Sequence, residues 1–220
     1  MKFELNDNIK ETLNLYPKLK LYDDENSQYL KGELDIFDDD DNYCYTYSIR
    51  LNIPKNYPYS FPNLFEENNK IPKVADRHMY KSGECCVCIM QEEDVRSKHG
   101  ITIKQFIKEF AIPFFANQIY YENNEKKEWA NGDYKHGIDG IVQFYQELFK
   151  CTSLKNILLE IENAININIK HYEKCFCGSG IKYKKCHRNI HNELMKLSRK
   201  RILLDYKFIY IQNENKAKSQ

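Results

Sequence analysis

Between residues 29 and 53 hydrophobic and polar positions alternate along the chain. YLKGELDIF (29–37) and YCYTYSIRLNI (43–53) each place apolar or aromatic side chains at about every second position, the period of a half-buried strand. The acidic run DDDDN (38–42) between them reads as a solvated turn and not as a cation site, so an antiparallel hairpin is expected. Prolines 54, 58 and 62 in PKNYPYSFPNLFE exclude a helix and leave an extended passage that ends in an edge strand at 63–66. From residue 101 the period changes. Ile103, Phe106, Ile107, Phe110 and Phe114 fall on one helical face of core type, and Pro113 predicts a kink or break in it. Further helical patterns cover 138–150, 153–170 with Ser153 as N-cap, and 189–208 with a basic stretch at Lys196, Arg199, Lys200 and Arg201. EWANGDYKHGIDG (128–140) reads as a glycine-punctuated loop around the single tryptophan, and the polar tail after Asn213 is expected to fray. No internal repeat is visible.

The 220 residues allow one large domain, or one medium domain with a small appendage. Lys+Arg 33 against Asp+Glu 32 leaves a formal charge of +1, which gives no global electrostatic reason to expect nucleic acid or membrane as a partner. The apolar runs are short, and the opening MKFELNDNIKE lacks the apolar centre of a signal peptide, so a cytoplasmic protein is expected. That changes the reading of the eight cysteines: in a reducing compartment, metal ligands or a reactive thiol are better uses than disulfides.

The densest ligand pattern is CFCGSGIKYKKCH (175–187). Cys175, Cys177, Cys186 and His187 supply the four donors of a closed tetrahedral zinc site. Gly178 and Gly180 permit the tight reversal between them, and Lys182, Lys184 and Lys185 offset the thiolate charge. Such a site keeps no open coordination position, so its zinc is expected to be structural. Its exposed face and the following basic helix suit docking of a protein more than of nucleic acid, although a basic helical stripe is usually a solvated face. The pattern resembles the zinc-binding motif at the carboxyl terminus of the SecA translocation ATPase, the SEC-C motif, over residues 172–190.

Without those cysteines, GECCVCI (83–89) still holds three, Cys85, Cys86 and Cys88. One reading is a buried strand with small apolar thiols. A second zinc site with His78 and His99 is disfavoured, because no CxxC is present and neighbouring Cys85 and Cys86 point to opposite sides. A reactive thiol is the third reading, and alternation leaves Cys86 and Cys88 together on one side as candidates. Asp76 and Arg77 upstream read as a surface ion pair.

In order, the hairpin, IPKNYPYSFPNLF, DRHMYKSGECCVCI and GITIKQFIKEF resemble the ubiquitin-conjugating-enzyme family over about residues 25–120. Tyr57-Pro58 and Pro62 match its proline passage, His78 its histidine turn, and Gly83-Glu84-Cys85-Cys86 its Gly-x-x-Cys segment. The resemblance implies an α+β fold, an antiparallel meander sheet with flanking helices, followed by a helical segment and the small zinc module. The implied divisions are 1–150 for the conjugating-enzyme-like domain, 151–170 for a linking helix and 171–220 for the zinc module with its basic helix. It makes Cys86 the nucleophile that carries an acyl thioester, with Cys85 and Cys88 as lining residues, and gives His78 a role as base or, more in keeping with its turn, as a hydrogen-bonder that fixes the loop. Where the eukaryotic enzymes have His-Pro-Asn this chain has His78-Met79-Tyr80, so oxyanion stabilisation falls to backbone amides or Tyr80. The same departure, with IPKVADRH and DYKHGIDGI, is similar to bacterial relatives from antiphage operons. Those imply a partner encoded nearby, a cGAS-like nucleotidyltransferase that makes cyclic oligonucleotides, whose C-terminus Cys86 would carry. The rival readings are a non-catalytic protein-binding module on the same fold and a zinc-organised adaptor.

Overall fold

The two alternating segments pair as β2 (Ser27–Phe37) and β3 (Tyr43–Ile53), antiparallel, with Leu30 opposite Leu51 and Leu34 opposite Tyr47. The turn between them is closed by Asp38, whose carboxylate accepts from the backbone N–H of Asp40 and Asn42. β4 (Asn63–Glu66) follows the proline passage as an edge strand on β3. A further strand, β1 (Leu19–Asp24), pairs with the other side of β2, so the sheet is a four-stranded antiparallel meander in the order β1-β2-β3-β4. β1 escapes the alternation test because only Leu19 of its six residues is buried.

The structure, a computed structural model, describes residues 2–24, 27–125, 128–129, 134–166 and 168–218, with the backbone alone for 2–6 and 216–218. Residues 130–133 of the expected loop lie outside the described residues. The chain divides into two compact units, Met1–Asp133 and Tyr134–Gln220.

In the first unit the inward row of the sheet, including Leu30, Leu34, Ile49 and Leu51, is fully buried with Ile103, Phe106, Ile107 and Phe115. Each such side chain contributes about 1.5–3 kcal/mol of transfer free energy. Tyr47 stacks on Phe115 with ring centroids 4.3 Å apart. The expected helical face is present, but its helix is continuous and changes pitch: α3 (Ile103–Phe106), opened by a capping box at Thr102 and Gln105, runs into a π-helical segment (Ile107–Ala111) and then α4 (Ile112–Asn123). Pro113 stands in the first turn of α4, and the wider turn before it accommodates a residue that has no N–H to donate and crowds the carbonyl four residues back. Two helices have no counterpart in the sequence reading. α1 (Lys2–Leu15) buries Ile9 and Thr12, and α2 (Met90–His99), polar on all sides, buries only Gln91.

The second unit is helical. α5 (Gly137–Phe149) and α6 (Leu154–Asn166) are strongly amphipathic and bury Tyr145, Ile157 and Ile161. Ser153 caps α6, accepting from the N–H of Asn156 at 3.4 Å. The expected helix over 189–208 is two: α7 (Arg188–Leu194) and α8 (Arg199–Lys218), the second opened by Ser198, whose hydroxyl accepts from Arg201 N–H at 3.1 Å. α8 continues to Lys218, so the expected fraying after Asn213 is not seen in the described backbone. Its buried Asp205 pairs with Arg201 and accepts from the Tyr145 hydroxyl at 3.1 Å, which fixes α8 against α5. Among the described residues no helix is long and apolar enough to cross a membrane.

Candidate functional sites

In the first unit the cysteine cluster follows a short 3-10 turn (Ala75–Arg77). Arg77 is not half of a surface pair with Asp76: it is buried, and the guanidinium donates to Gln118 Oε1 at 2.8 Å, pairs with Glu122 and lies 4.5 Å from the centroid of the Tyr121 ring. Gln118 returns a bond from its Nε2 to the Arg77 carbonyl at 2.8 Å. The side chains of α4 therefore hold the turn from both sides. Charge count alone could not reveal this, because the burial comes from a helix forty residues downstream; the clustering of Gln118, Tyr121 and Glu122 at helical spacing was the available signal.

His78 closes the turn in left-handed geometry (φ 48, ψ 40), and its ring meets Trp129 edge-on at 4.7 Å. Trp129 in turn donates from Nε1 to the Asp76 carbonyl at 3.3 Å. Gly83, at φ 87, makes the next reversal with its N–H on the Tyr80 carbonyl at 2.9 Å, a conformation that a side chain would strain. The cysteine segment is then strapped on both sides: Cys85 N–H donates to Leu64 of β4 at 2.8 Å, and Cys86 N–H to the His78 carbonyl at 2.7 Å.

This placement sets Cys85 apart from Cys86 and Cys88, which are both half-buried. Cys85 points into the core at 5% exposure, and burial pushes its thiol far up, with Glu66 adding to the effect. Burial, followed by Glu93 and Glu92, does the same to Cys88. Cys86 is half-buried, and the Tyr80 hydroxyl hydrogen-bonds to its thiol; burial and then that bond raise the Tyr80 pKa. Beside the segment lies an open cleft of about 460 Å³ whose lining includes Phe61, Pro62, Tyr80, Glu84, Val87 and Met90. His78 and His99 are not brought together with the cysteines as metal ligands; one potential metal-binding group forms among the described residues, and it lies in the other unit.

That group is Cys175, Cys177, Cys186 and His187, with one donor atom from each lying within 4.8 Å of all the others. A short ladder builds it. Cys175 N–H donates to the Ile181 carbonyl at 2.7 Å, Tyr183 N–H to the Glu173 carbonyl at 2.8 Å, and Gly178 and Gly180 turn the chain at φ 76 and 73. A 3-10 turn (Tyr183–Lys185) then delivers Cys186 and His187 to the start of α7. Cys177 and Cys186 sulfurs are 3.6 Å apart, and His187 Nδ1 is 3.2 Å from the sulfurs of Cys175 and Cys186. A tetrahedron of Zn–S bonds about 2.3 Å long has edges of about 3.8 Å, so the donor set fits such an ion with little movement. Ser179, whose hydroxyl lies 3.2 Å from Cys177 Sγ and whose N–H also bonds it, pulls that thiol down to about 6. The thiolate is the form that ligates.

Two residues outside the ligand set were not singled out by the sequence. Glu160 of α6 lies with Oε1 3.5 Å from His187 Nε2, and with Oε2 3.6 Å from Nε2 of His191 on α7. His191 is buried, its Nδ1 is 3.0 Å from the Tyr183 hydroxyl, and burial lowers its pKa. The spacing of His187 and His191, one helical turn apart, was the only signal in the sequence.

The molecule is thus a mixed α/β protein with a four-stranded antiparallel meander, flanking helices and a Cys/His cluster able to hold a metal. A family model, that of the SEC-C motif, a zinc-binding motif, matches residues 173–189 and so contains all four ligands. Comparisons with curated proteins and with solved structures return no match. The likeness of the first unit to ubiquitin-conjugating enzymes rests on the sequence resemblance alone.

Proposed function

We propose that the first unit is a ubiquitin-conjugating-like cysteine acyltransferase in which Cys86 carries the C-terminal acyl group of a partner protein as a thioester. The observation that carries this reading is the setting of Cys86: it is half-buried with the Tyr80 hydroxyl on its sulfur, whereas Cys85 is turned into the core. Cys88 is half-buried too, and the Gly-x-x-Cys match of the sequence favours Cys86 over it. Cys86 as thiolate attacks the carbonyl of an acyl-adenylate or of an upstream carrier's thioester; the C–S bond forms and AMP or the carrier thiolate leaves. An acceptor amine then attacks the thioester, losing its proton to solvent and releasing the Cys86 thiolate. The Cys86 amide is already engaged by His78, so the Tyr80 hydroxyl is assigned as the oxyanion donor. His78 acts through its carbonyl and through its packing on Trp129, as a positioning residue and not as a base. The partner in this proposal is a cGAS-like nucleotidyltransferase encoded nearby, in a CBASS-like antiviral system, as in the bacterial group the sequence resembles. The structural zinc of the second unit plays no part in the acyl transfer.

The test is purification with the neighbouring gene products, followed by a non-reducing denaturing gel and intact-mass analysis. The expected result is a hydroxylamine-sensitive adduct that is lost in Cys86→Ala and kept in Cys85→Ser and Cys88→Ser. An inert Cys88→Ser beside an active Cys86→Ser would move the reaction to the other thiol. The second reading, a metal-organised adaptor, is favoured by the SEC-C match. It takes over when no covalent species forms and Cys86→Ala keeps full biological activity.

A further inference from the structure

We infer that Glu160, together with His191 and Tyr183, positions His187 for metal binding through Nδ1, so that the metal site is completed by a helix outside the matched motif. Glu160 belongs to α6 (Leu154–Asn166), whereas the SEC-C match begins at residue 173. A carboxylate can only accept, so a proton must stand on each imidazole nitrogen that faces it. His187 turns Nε2 toward Glu160 Oε1 at 3.5 Å, which leaves the Nδ1 lone pair free, and Nδ1 is the nitrogen 3.2 Å from the Cys175 and Cys186 sulfurs. His191 turns Nε2 toward Glu160 Oε2 at 3.6 Å and accepts the Tyr183 hydroxyl on Nδ1 at 3.0 Å.

Every proton in this chain has one consistent place. Tyr183 O–H points to His191, His191 N–H and His187 N–H point to the same carboxylate, and the remaining His187 nitrogen points at the thiols. Glu160 Oε2 and His191 Nε2 are buried and have no hydrogen-bond partner in the described structure. An unpartnered buried pair is costly, and a shift of a few tenths of an ångström would bring the two within bonding range. A carboxylate behind a ligating histidine fixes the ring's tautomer and orientation and raises its basicity. His191 and Tyr183 fix the carboxylate in turn.

The experiment uses the full chain and zinc alone, with affinity read by competition against a chromophoric chelator and the His187 ring followed by ¹⁵N nuclear magnetic resonance. Wild type is expected to show zinc on Nδ1 and a slowly exchanging Nε2–H. Glu160→Ala is expected to bind zinc about 10–100-fold more weakly and to lose the protection of that proton. Glu160→Gln keeps the shape of the side chain but cannot accept from both rings, so a loss of about 10-fold is expected, and it decides the matter where the alanine variant folds poorly. Leu159→Ala, at a position 46% exposed on the same helix, is expected to change neither readout. Zinc on Nε2 of His187, an affinity of Glu160→Gln within twofold of wild type, or an equal loss in Leu159→Ala would each overturn the inference.

Discussion

Replacing Arg77 by methionine should destabilise the first unit far more than its place in a surface-looking sequence suggests. The guanidinium gives one hydrogen bond to buried Gln118 at 2.8 Å, and bonds to charged groups are worth about 1.5–3 kcal/mol. The contact with Tyr121 at 4.5 Å adds about 1 kcal/mol. The Glu122 side chain is 55% exposed, so that pair is screened by solvent and adds about 0–1 kcal/mol. Methionine returns part of the lost packing, and the net loss is about 3–4 kcal/mol, roughly 10 °C or more in melting temperature for a unit of this size. Trp129 is the only tryptophan and packs against His78 and Tyr121, so its fluorescence during heating reports on this unit and not on the helical one. Glu122→Gln is the control, with an expected cost below about 1 kcal/mol. If Arg77→Met melts within about 2 °C of wild type, or if Glu122→Gln costs as much, the buried latch is not what holds the turn before Cys86.

Two further outcomes are expected. Cys177→Ser should abolish binding of about one zinc per chain, measured by metal analysis of freshly purified protein, while Trp129 fluorescence stays native; retention of zinc would remove Cys177 from the ligand set. Glu67 is held below its usual value near 4.5, first by its hydrogen bond from Lys31 and also by Arg50, against some burial. A depressed folded pKa means stability that is present above the unfolded value and is lost as pH falls through the folded one. Unfolding free energy should therefore fall below about pH 4.5, and less steeply in Glu67→Gln; an identical slope in the variant would refute the assignment.

What the sequence disclosed, and what it concealed, follows from the range of the forces involved. β2, β3 and β4 were readable because one face of each is buried and the other wet, so the period of two survives in the residue types. β1 and α2 were not, because an edge strand with one buried residue and a helix polar on every side carry no period. The single pattern over 189–208 concealed a break at Ser198, where a side-chain cap starts α8 anew although the apolar spacing hardly changes. At the cysteine cluster alternation narrowed three thiols to two, Cys86 and Cys88. The structure leaves both half-buried; what it adds is their surroundings, the Tyr80 hydroxyl at Cys86 and the α2 acids Glu92 and Glu93 near Cys88, which sequence spacing does not express.

The second unit shows the same division within one site. All four ligands lie within residues 175–187, so the zinc pattern is complete in a stretch short enough to be read by eye. A stretch of that length buries too little to fold without its metal or a support. The support visible here comes from α6 through Glu160 and from α7 through His191, and neither residue belongs to a motif that spacing could define. Ligand identity is local chemistry and survives transfer between proteins, whereas the residues that aim the ligands are chosen by whichever helices happen to pack behind them. A metal bound by this cluster would then act as a fastener between the reversal at Gly178–Gly180 and the helical core built on Ile157 and Ile161. Removal of zinc should then loosen α6 and α7 as well as the loop, which amide hydrogen exchange with and without a chelator would read directly. Protection lost in residues 173–189 alone, with α6 unchanged, would show that the motif is merely appended to the helices.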